Sequence, residues 1–113
     1  MNAKVVYHSD AALQDLGGGV TRRVLAYNDQ LMIVEVAFQT GGVGSVHTHP
    51  HWQNTYVKSG RFRFTIEGEE VTVAAGDTLA FPSNIPHGTL CLEEGVLLDI
   101  FTPMREDFVA QRG

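Results

Sequence analysis

Turn-forming residues recur at short intervals along this chain and limit the length of any regular element. Twelve glycines and four prolines fall within 113 residues, and most of the segments between them either alternate apolar and polar side chains or are largely apolar. No segment repeats apolar residues at the 3.6-residue spacing of a long helix. Short strands with turn signals every ~8–12 residues are typical of β-sandwiches and β-barrels. The sequence therefore predicts one all-β domain spanning residues 1–113.

Individual strands are predicted from side-chain alternation and from the flanking turns. Val20–Tyr27 is the first predicted strand, after a turn at Gly17–Gly19. Leu31–Gln39 is apolar on both faces, which predicts a strand buried on both sides. The tail, Pro103–Arg112, has room for one short helix. The remaining predicted strands are Arg61–Ile66, Val71–Ala74, Thr78–Phe81, Thr89–Glu93 and Val96–Thr102.

Charge and composition exclude several classes of function. The formal net charge of −5 argues against nucleic-acid binding, which needs a basic surface. However, this charge is screened over ~8 Å, so a local cation would still allow a small anion to bind. No segment approaches the roughly 18–20 apolar residues of a membrane span, and none resembles a signal peptide. The single cysteine, Cys91, rules out an internal disulfide, which fits a reducing compartment. We therefore expect a cytoplasmic protein, and the apolar segments are too short to predict a membrane partner.

Three of the five histidines fall within positions 47–51, in the segment HTHPHWQ. His47, His49 and Gln53 all have odd numbers, so in extended chain their side chains share one face. Histidines two positions apart bring two imidazoles to one ion, and three nitrogen or oxygen ligands leave open positions on a metal. A solvated, histidine-rich loop explains the same residues equally well. Composition and spacing within the cluster leave both interpretations open.

The residues around the cluster have a more specific spacing. Gly41 is followed after five residues by His47-Thr48-His49, after three more by Gln53 and after six more by Gly60. This pattern resembles the first cupin motif, with glutamine at the position where most cupins have glutamate.

A second motif follows at a cupin-like separation. Gly76 is followed after five residues by Pro82-Ser83-Asn84 and after two more by His87. It resembles the second cupin motif, with two departures. Asn84 replaces the usual glycine, which is tolerable because asparagine also adopts left-handed backbone angles. Cys91 stands in place of the motif's asparagine.

The resemblance implies a cupin jelly-roll β-barrel, or double-stranded β-helix, with a divalent metal ion inside. The implied ligands are His47, His49, Gln53 and His87. Nickel, zinc, iron, manganese and cobalt all suit such a set, so the sequence leaves the metal open. A glutamine ligand is neutral and preserves the full charge of the cation, which favours anion binding and non-redox chemistry. His51 is left as a neighbour of the ligands or of the substrate.

A second group of polar residues lies near the C-terminus. Asp99 interrupts the apolar strand Val96–Thr102 on the same face as Phe101. A carboxylate inside a buried strand is costly unless it is paired or functional. An ion pair between Asp99 and Arg105 that fixes the tail is the structural alternative.

One cupin subfamily has both the histidine cluster and the polar residues near the C-terminus. His-x-His-Pro-His-x-Gln at 47–53 and Asp-x-Phe-Thr-Pro-x-Arg at 99–105 resemble the KdgF-type cupins of pectin and alginate breakdown. Those proteins convert 4,5-unsaturated monouronates to linear 5-keto-4-deoxyuronates. The resemblance implies catalytic roles for Asp99, Phe101 and Arg105, a small anionic sugar as substrate, and a homodimer. Trp52 departs from the expected pattern and is predicted to narrow the pocket mouth.

Two alternatives use the same fold. An iron-dependent dioxygenase would use the same ligands with oxygen. A sugar-binding or small-molecule-binding cupin would hold a structural metal and catalyse nothing.

Overall fold

The computed structural model describes residues 2–110, and strands account for most of this part of the chain. A short 3-10 turn at His8–Asp10 precedes the sheet, and helix α1, Glu106–Ala110, follows it. The all-β prediction is confirmed, and α1 lies inside the predicted tail. Within residues 2–110, no helix has the length and apolar character needed to span a membrane. The strands are β1 (Gln14–Gly17), β2 (Val20–Tyr27), β3 (Met32–Phe38), β4 (Val43–His47), β5 (Trp52–Ile66), β6 (Glu69–Ala74), β7 (Thr78–Phe81) and β8 (His87–Thr102).

The long strands β5 and β8 pair antiparallel along nearly their whole lengths and organise the fold. Residues 95–101 of β8 pair with β3, whereas its first residues pair with β4. Residues 53–56 of β5 pair with β7, and residues 61–66 pair with β6. Each long strand therefore belongs to both halves of the barrel, and their inner faces enclose the core. Two separate strands at Thr89–Glu93 and Val96–Thr102 were predicted wrongly, because β8 runs continuously through both.

Two glycines allow β5 and β8 to approach closely where their register shifts. Gly60 has a φ of 83°, and a Cβ atom there would lie 2.5 Å from the carbonyl oxygen of Glu93. A Cβ atom on Gly95 would overlap the carbonyl group of Ser59. Glycine inside a strand commonly marks such a close backbone approach. Gly95 therefore marks a close contact with β5 inside β8, although in sequence it resembles a strand end.

The first strand was not predicted. β1 and β2 form a hairpin whose turn contains Gly17, Gly18 and Gly19 at positive φ, so the predicted glycine turn is confirmed. β1 has only four residues, and Leu16 within it is exposed. A strand this short, without a buried face, carries no periodic signal for sequence analysis to detect.

The core lies on the inner face of the sheet. Met32, Val34 and Phe38 of β3 are buried, whereas Ile33 and Glu35 between them are half-buried on the outer face. The prediction that this strand is buried on both sides was therefore wrong. One core cluster contains Phe38, Phe62, Phe64 and Phe81, and a second contains Val24, Met32, Val34 and Phe101 with Phe108 of α1 packed against it. The second cluster places Phe101 and α1 beside the histidines.

Candidate metal centre

Three histidines converge at one end of the barrel. His47 ends β4, His87 begins β8, and the two are partners in the strand register. His49 lies in the loop between β4 and β5. One ligand nitrogen from each of the three lies within 4.8 Å of the others. His49 and His87 are buried, whereas His47 is exposed. The burial of His49, and its approach to the distant His87, contradict the interpretation of the cluster as a solvated loop.

The same hydrogen-bonding arrangement fixes the orientation of all three imidazole rings. In each histidine, Nδ1 contacts a backbone carbonyl oxygen, which accepts hydrogen bonds and donates none. The proton of each neutral ring therefore lies on Nδ1, and Nε2 keeps a lone pair available to a metal ion. The Nδ1–O distances are 2.8 Å for His47 to Ser45, 3.0 Å for His49 to His51 and 2.8 Å for His87 to Ile85.

Gln53 adds an oxygen to this group. It is buried in β5, and its Oε1 lies 3.0 Å from Nε2 of His49. With the His49 proton on Nδ1, both facing atoms are hydrogen-bond acceptors. Two lone pairs at this distance are unfavourable by themselves, and a cation between them satisfies both. The donor set of three imidazole nitrogens and one amide oxygen therefore fits a divalent metal ion.

The electrostatic environment keeps the buried histidines neutral. Burial, and next the charge of Arg105, lower the pKa of His49 to about 4. Burial also lowers the pKa of His87, although the hydrogen bond to the carbonyl of Ile85 opposes this effect. Neutral imidazole is the form that binds metal ions, so these two side chains are ready to act as ligands at neutral pH.

Asp99 lies next to Gln53 on the inner face. Its Oδ1 accepts hydrogen bonds from Oγ1 of Thr55 at 2.7 Å and from Nε2 of Gln53 at 3.3 Å. Among the described residues, no hydrogen bond is made by its Oδ2. Burial raises the pKa of Asp99 to about 6, against the opposing effects of the Thr55 hydroxyl and the Arg105 charge. A carboxyl group with this pKa exchanges protons readily near neutral pH.

Arg105 pairs with a residue that sequence analysis missed. Its Nε and Nη2 atoms donate to the two carboxylate oxygens of Asp107 at 3.1 and 2.9 Å. Burial alone would raise the pKa of Asp107, but the hydrogen bond and charge of Arg105 outweigh it and lower that pKa. Within residues 2–110, Asp99 and Arg105 form no ion pair. The structural alternative proposed for these two residues was therefore wrong, because Asp107 at the start of α1 is the nearer partner.

Aromatic rings and a second arginine surround Arg105. Its guanidinium carbon lies 5.2 Å from the ring centre of Phe101 and 4.2 Å from that of Phe108. The guanidinium carbon of Arg22 lies 3.9 Å from the ring centre of Phe108, and its Nε donates to Oε1 of Gln14 at 2.8 Å. Arg22 and Phe108 were also missed. Arg22 alternates with two buried valines in β2, so strand parity alone indicates that it faces inward.

A cavity of about 290 Å³ joins these groups. Its lining includes three of the potential ligands, His47, Gln53 and His87. The charged side chains of Asp99, Arg105 and Arg22 and the ring of Phe101 complete this part of the lining. Trp52 is not part of this lining in the described chain and is 57% exposed, which does not support its predicted role at the pocket mouth. His51 stays beside the ligands, with its ring centre 5.6 Å from that of His49.

Comparison with known proteins identifies the fold. A family model described as "Cupin domain" matches residues 34–101. The chain belongs to the cupin family. This cupin is 42% identical over 98 residues to the pectin degradation protein KdgF of Dickeya dadantii (strain 3937), covering 85% of this chain and 89% of the relative.

Solved structures agree with this assignment. The structure of KdgF from a Halomonas species matches with a TM-score of 0.89 and 33% identity, over 95% of this cupin and 99% of that chain. An RmlC-like cupin from Shewanella frigidimarina NCIMB 400 matches with a TM-score of 0.89 and 36% identity, over 95% of this cupin and 96% of that chain. The predicted jelly-roll fold and the resemblance to KdgF-type cupins are therefore confirmed.

Proposed function

We propose that this cupin is a metal-dependent enzyme that converts 4,5-unsaturated monouronates, released by pectin or alginate lyases, to linear 5-keto-4-deoxyuronates. Its sequence identity of 42% to a pectin degradation protein supports a role in pectin breakdown. One observation carries the proposal. Two hydrogen-bond acceptors, Oε1 of Gln53 and Nε2 of His49, lie only 3.0 Å apart, and the carboxyl group of Asp99 lies beside them. The proposed cation site and the proposed acid–base group therefore share one cavity.

The divalent metal ion would be held by His47, His49, Gln53 and His87. When bound, such an ion supplies positive charge that stabilises a negatively charged oxygen during ring opening. All four ligands are neutral, so this charge is undiminished and favours a substrate that carries a carboxylate. This local charge accounts for an anionic substrate in a chain with a net charge of −5.

Asp99 is the proposed acid–base residue. The substrate is a cyclic hemiacetal with a C4=C5 double bond. Oδ2 of Asp99 accepts the proton of the C1 hydroxyl, the C1 aldehyde forms, and the bond between C1 and the ring oxygen breaks. The electron pair then resides on the enolate of C5, and Oδ2 returns the proton to C4 to give the C5 ketone. Proton and electrons balance, and the reaction is an isomerisation.

Arg105 and Phe101 are proposed to hold the substrate. Arg105 uses one edge of its guanidinium group for Asp107, which leaves the other edge for the substrate carboxylate. The Phe101 ring provides an apolar wall against the sugar ring and is itself fixed by packing against Met32 and Val34. The pair with Asp107 holds the Arg105 side chain in place before the substrate arrives, which lowers the entropic cost of binding.

The decisive experiment follows the ultraviolet absorbance of a freshly released unsaturated monouronate. We expect metal-loaded protein to accelerate the loss of the C4=C5 chromophore and chelator-treated protein to leave the uncatalysed rate unchanged. Equal rates in both samples would refute the proposed reaction. Oxygen consumption by the iron-loaded protein would instead support the dioxygenase alternative. Binding of the sugar without turnover would support the non-catalytic alternative.

The homodimer is also proposed. Tyr56 of β5 and Ile100 of β8 are 41% and 36% exposed on the outer face of the sheet, near the half-buried Ile33. An apolar outer face of this kind is commonly covered by a second subunit. Light scattering coupled to size-exclusion chromatography should give twice the monomer mass of 12.4 kDa. The monomer mass for native protein would refute the dimer.

A further inference from the structure

A buried hydroxyl group connects the proposed metal ligand to the proposed acid–base residue. Thr55 lies in β5 directly opposite Asp99 in the strand register and is 1% exposed. Its Oγ1 accepts a hydrogen bond from Nε2 of Gln53 at 2.9 Å and donates one to Oδ1 of Asp99 at 2.7 Å. The three side chains therefore form one continuous hydrogen-bonded group.

The direction of these hydrogen bonds determines which end of the Gln53 amide faces the histidines. A threonine hydroxyl has one proton, and in this group that proton is donated to Asp99. The hydroxyl oxygen then needs a donor, which only the NH2 end of the Gln53 amide can supply. That contact turns Oε1 of Gln53 toward His49. Reversing the amide would replace the donor by an acceptor and would turn the NH2 group toward the Nε2 lone pair of His49.

We propose that Thr55 is a positioning residue that aims the carbonyl oxygen of Gln53 at the histidine triad and fixes Oδ1 of Asp99, so that one hydroxyl group aligns both. The proposed role for Asp99 rests on the proposed function, whereas the effect on Gln53 concerns metal binding alone. Hydrogen-bonding partners of metal ligands typically contribute ~10–100-fold to metal affinity or activity.

The same group explains why glutamine stands where most cupins have glutamate. A glutamate at position 53 would place a carboxylate oxygen at the site of Nε2, 2.9 Å from the Thr55 hydroxyl and 3.3 Å from Oδ1 of Asp99. Two carboxylates would then compete for one hydroxyl proton and repel each other. A neutral amide satisfies both Thr55 and Asp99. The ligand type at position 53 and the carboxyl group at position 99 therefore depend on each other.

The test compares Thr55→Val, which keeps the shape but removes the hydroxyl, with Thr55→Ser, which keeps the hydroxyl. Affinity for Zn²⁺ is measured by competition with a chromophoric chelator, and the melting temperature reports folding. We expect Thr55→Val to bind Zn²⁺ about 10–100-fold more weakly than native protein and Thr55→Ser to stay within a few-fold of it. Thr72→Val, at an exposed position in β6, controls for the introduction of valine into a strand.

Unchanged Zn²⁺ affinity in folded Thr55→Val would overturn the proposal, as would an equal loss in Thr55→Ser. If Thr55→Val does not fold, Thr55→Ala removes the hydroxyl without adding a branched side chain, and native-like Zn²⁺ affinity in that variant would also refute the role. Because the readout is metal affinity, it is separate from turnover of an unsaturated uronate. If the substrate assignment fails, the result for Thr55 still stands.

Discussion

His47 and His87 are partners in the register between β4 and β8, and their ring centres lie 4.6 Å apart. The two residues come from separate sequence motifs, and only strand pairing brings them together. His87 is buried and stacks on Phe81 with ring centres 4.5 Å apart, whereas His47 is exposed. The buried partner therefore provides a rigid anchor for the proposed metal ion, and the exposed partner faces the cavity.

Replacement of His87 should abolish tight metal binding. Because loss of a ligand is more severe than loss of a hydrogen-bonding neighbour, we expect His87→Ala to bind Zn²⁺ at least about 100-fold more weakly. Zinc content after dialysis, measured by atomic emission, checks this result. His8→Ala is the matched control, because His8 lies outside the site and contacts Glu35. Full zinc occupancy in His87→Ala would remove this residue from the ligand set.

Asp99→Asn should separate chemistry from metal binding. The change removes the proposed acid–base group but leaves the three imidazoles unaltered, so we expect turnover of the unsaturated monouronate to fall about 10²–10⁴-fold. Zinc content should remain equal to that of native protein. Native turnover in this variant would show that Asp99 is not the acid–base residue.

Metal-free protein should show opposing effects of Asp99 and His49 on stability. Burial raises the pKa of Asp99 from 3.8 to about 6, so its favourable contribution is fully present below pH 3.8 and is lost as pH rises through 6. The pKa of His49 falls from 6.5 to about 4, so its contribution is present above pH 6.5 and is lost as pH falls through 4. Each effect amounts to about 3 kcal/mol.

The Asp99→Asn variant lacks the pH-dependent contribution of Asp99 and keeps that of His49. On lowering the pH from 6.5 to 4, its free energy of unfolding should therefore fall by about 2 kcal/mol more than that of native protein, because this range ends before the carboxyl group is fully protonated in the unfolded state. Urea unfolding of chelator-treated samples at both pH values measures the difference. Asp29→Asn, at an exposed position, is the control. Parallel pH profiles for Asp99→Asn and native protein would contradict the assignment of the raised pKa to Asp99.

Arg105→Lys should weaken substrate binding without affecting the metal. A lysine ammonium group cannot engage Asp107 with two parallel hydrogen bonds and offer a second edge to the substrate carboxylate. We expect KM for the unsaturated monouronate to rise about 10–100-fold, in line with the loss of a charge-assisted hydrogen bond. Steady-state kinetics test this expectation, and Arg63→Lys, at an exposed position of β5, is the control. An unchanged KM would show that Arg105 does not bind the carboxylate.

The residues that local patterns could identify were those in short motifs. The spacing of His47, His49 and Gln53 suggested a shared face by strand parity but left a solvated loop equally open, and in the structure His49 lies in a loop between strands. His87 was linked to this site only through the resemblance of the two motifs to those of cupins. The inward direction of Asp99 and Phe101 followed from the same alternation. Their mutual distances, however, depend on the pairing of β5 with β8, which no single segment specifies.

The residues that sequence analysis missed depend on long-range contacts. Asp107 was missed because its partner Arg105 had a plausible alternative in Asp99, and only the direction of α1 decides between them. Thr55 resembles an ordinary strand residue until it is placed opposite Asp99. β8 was divided at Gly95 because glycine often ends a strand, whereas here a close backbone contact requires it.

The continuity of β8 has a mechanical consequence. One strand carries the proposed ligand His87 at its first residue and the proposed acid–base residue Asp99 near its last. The distance between the proposed metal ion and the proposed acid–base residue is therefore set by the path of a single piece of backbone, which includes the close contact between Gly95 and Ser59. A relative that bends this strand differently would present the same side chains at a different spacing, and would suit a sugar of another size without any change in the reacting groups.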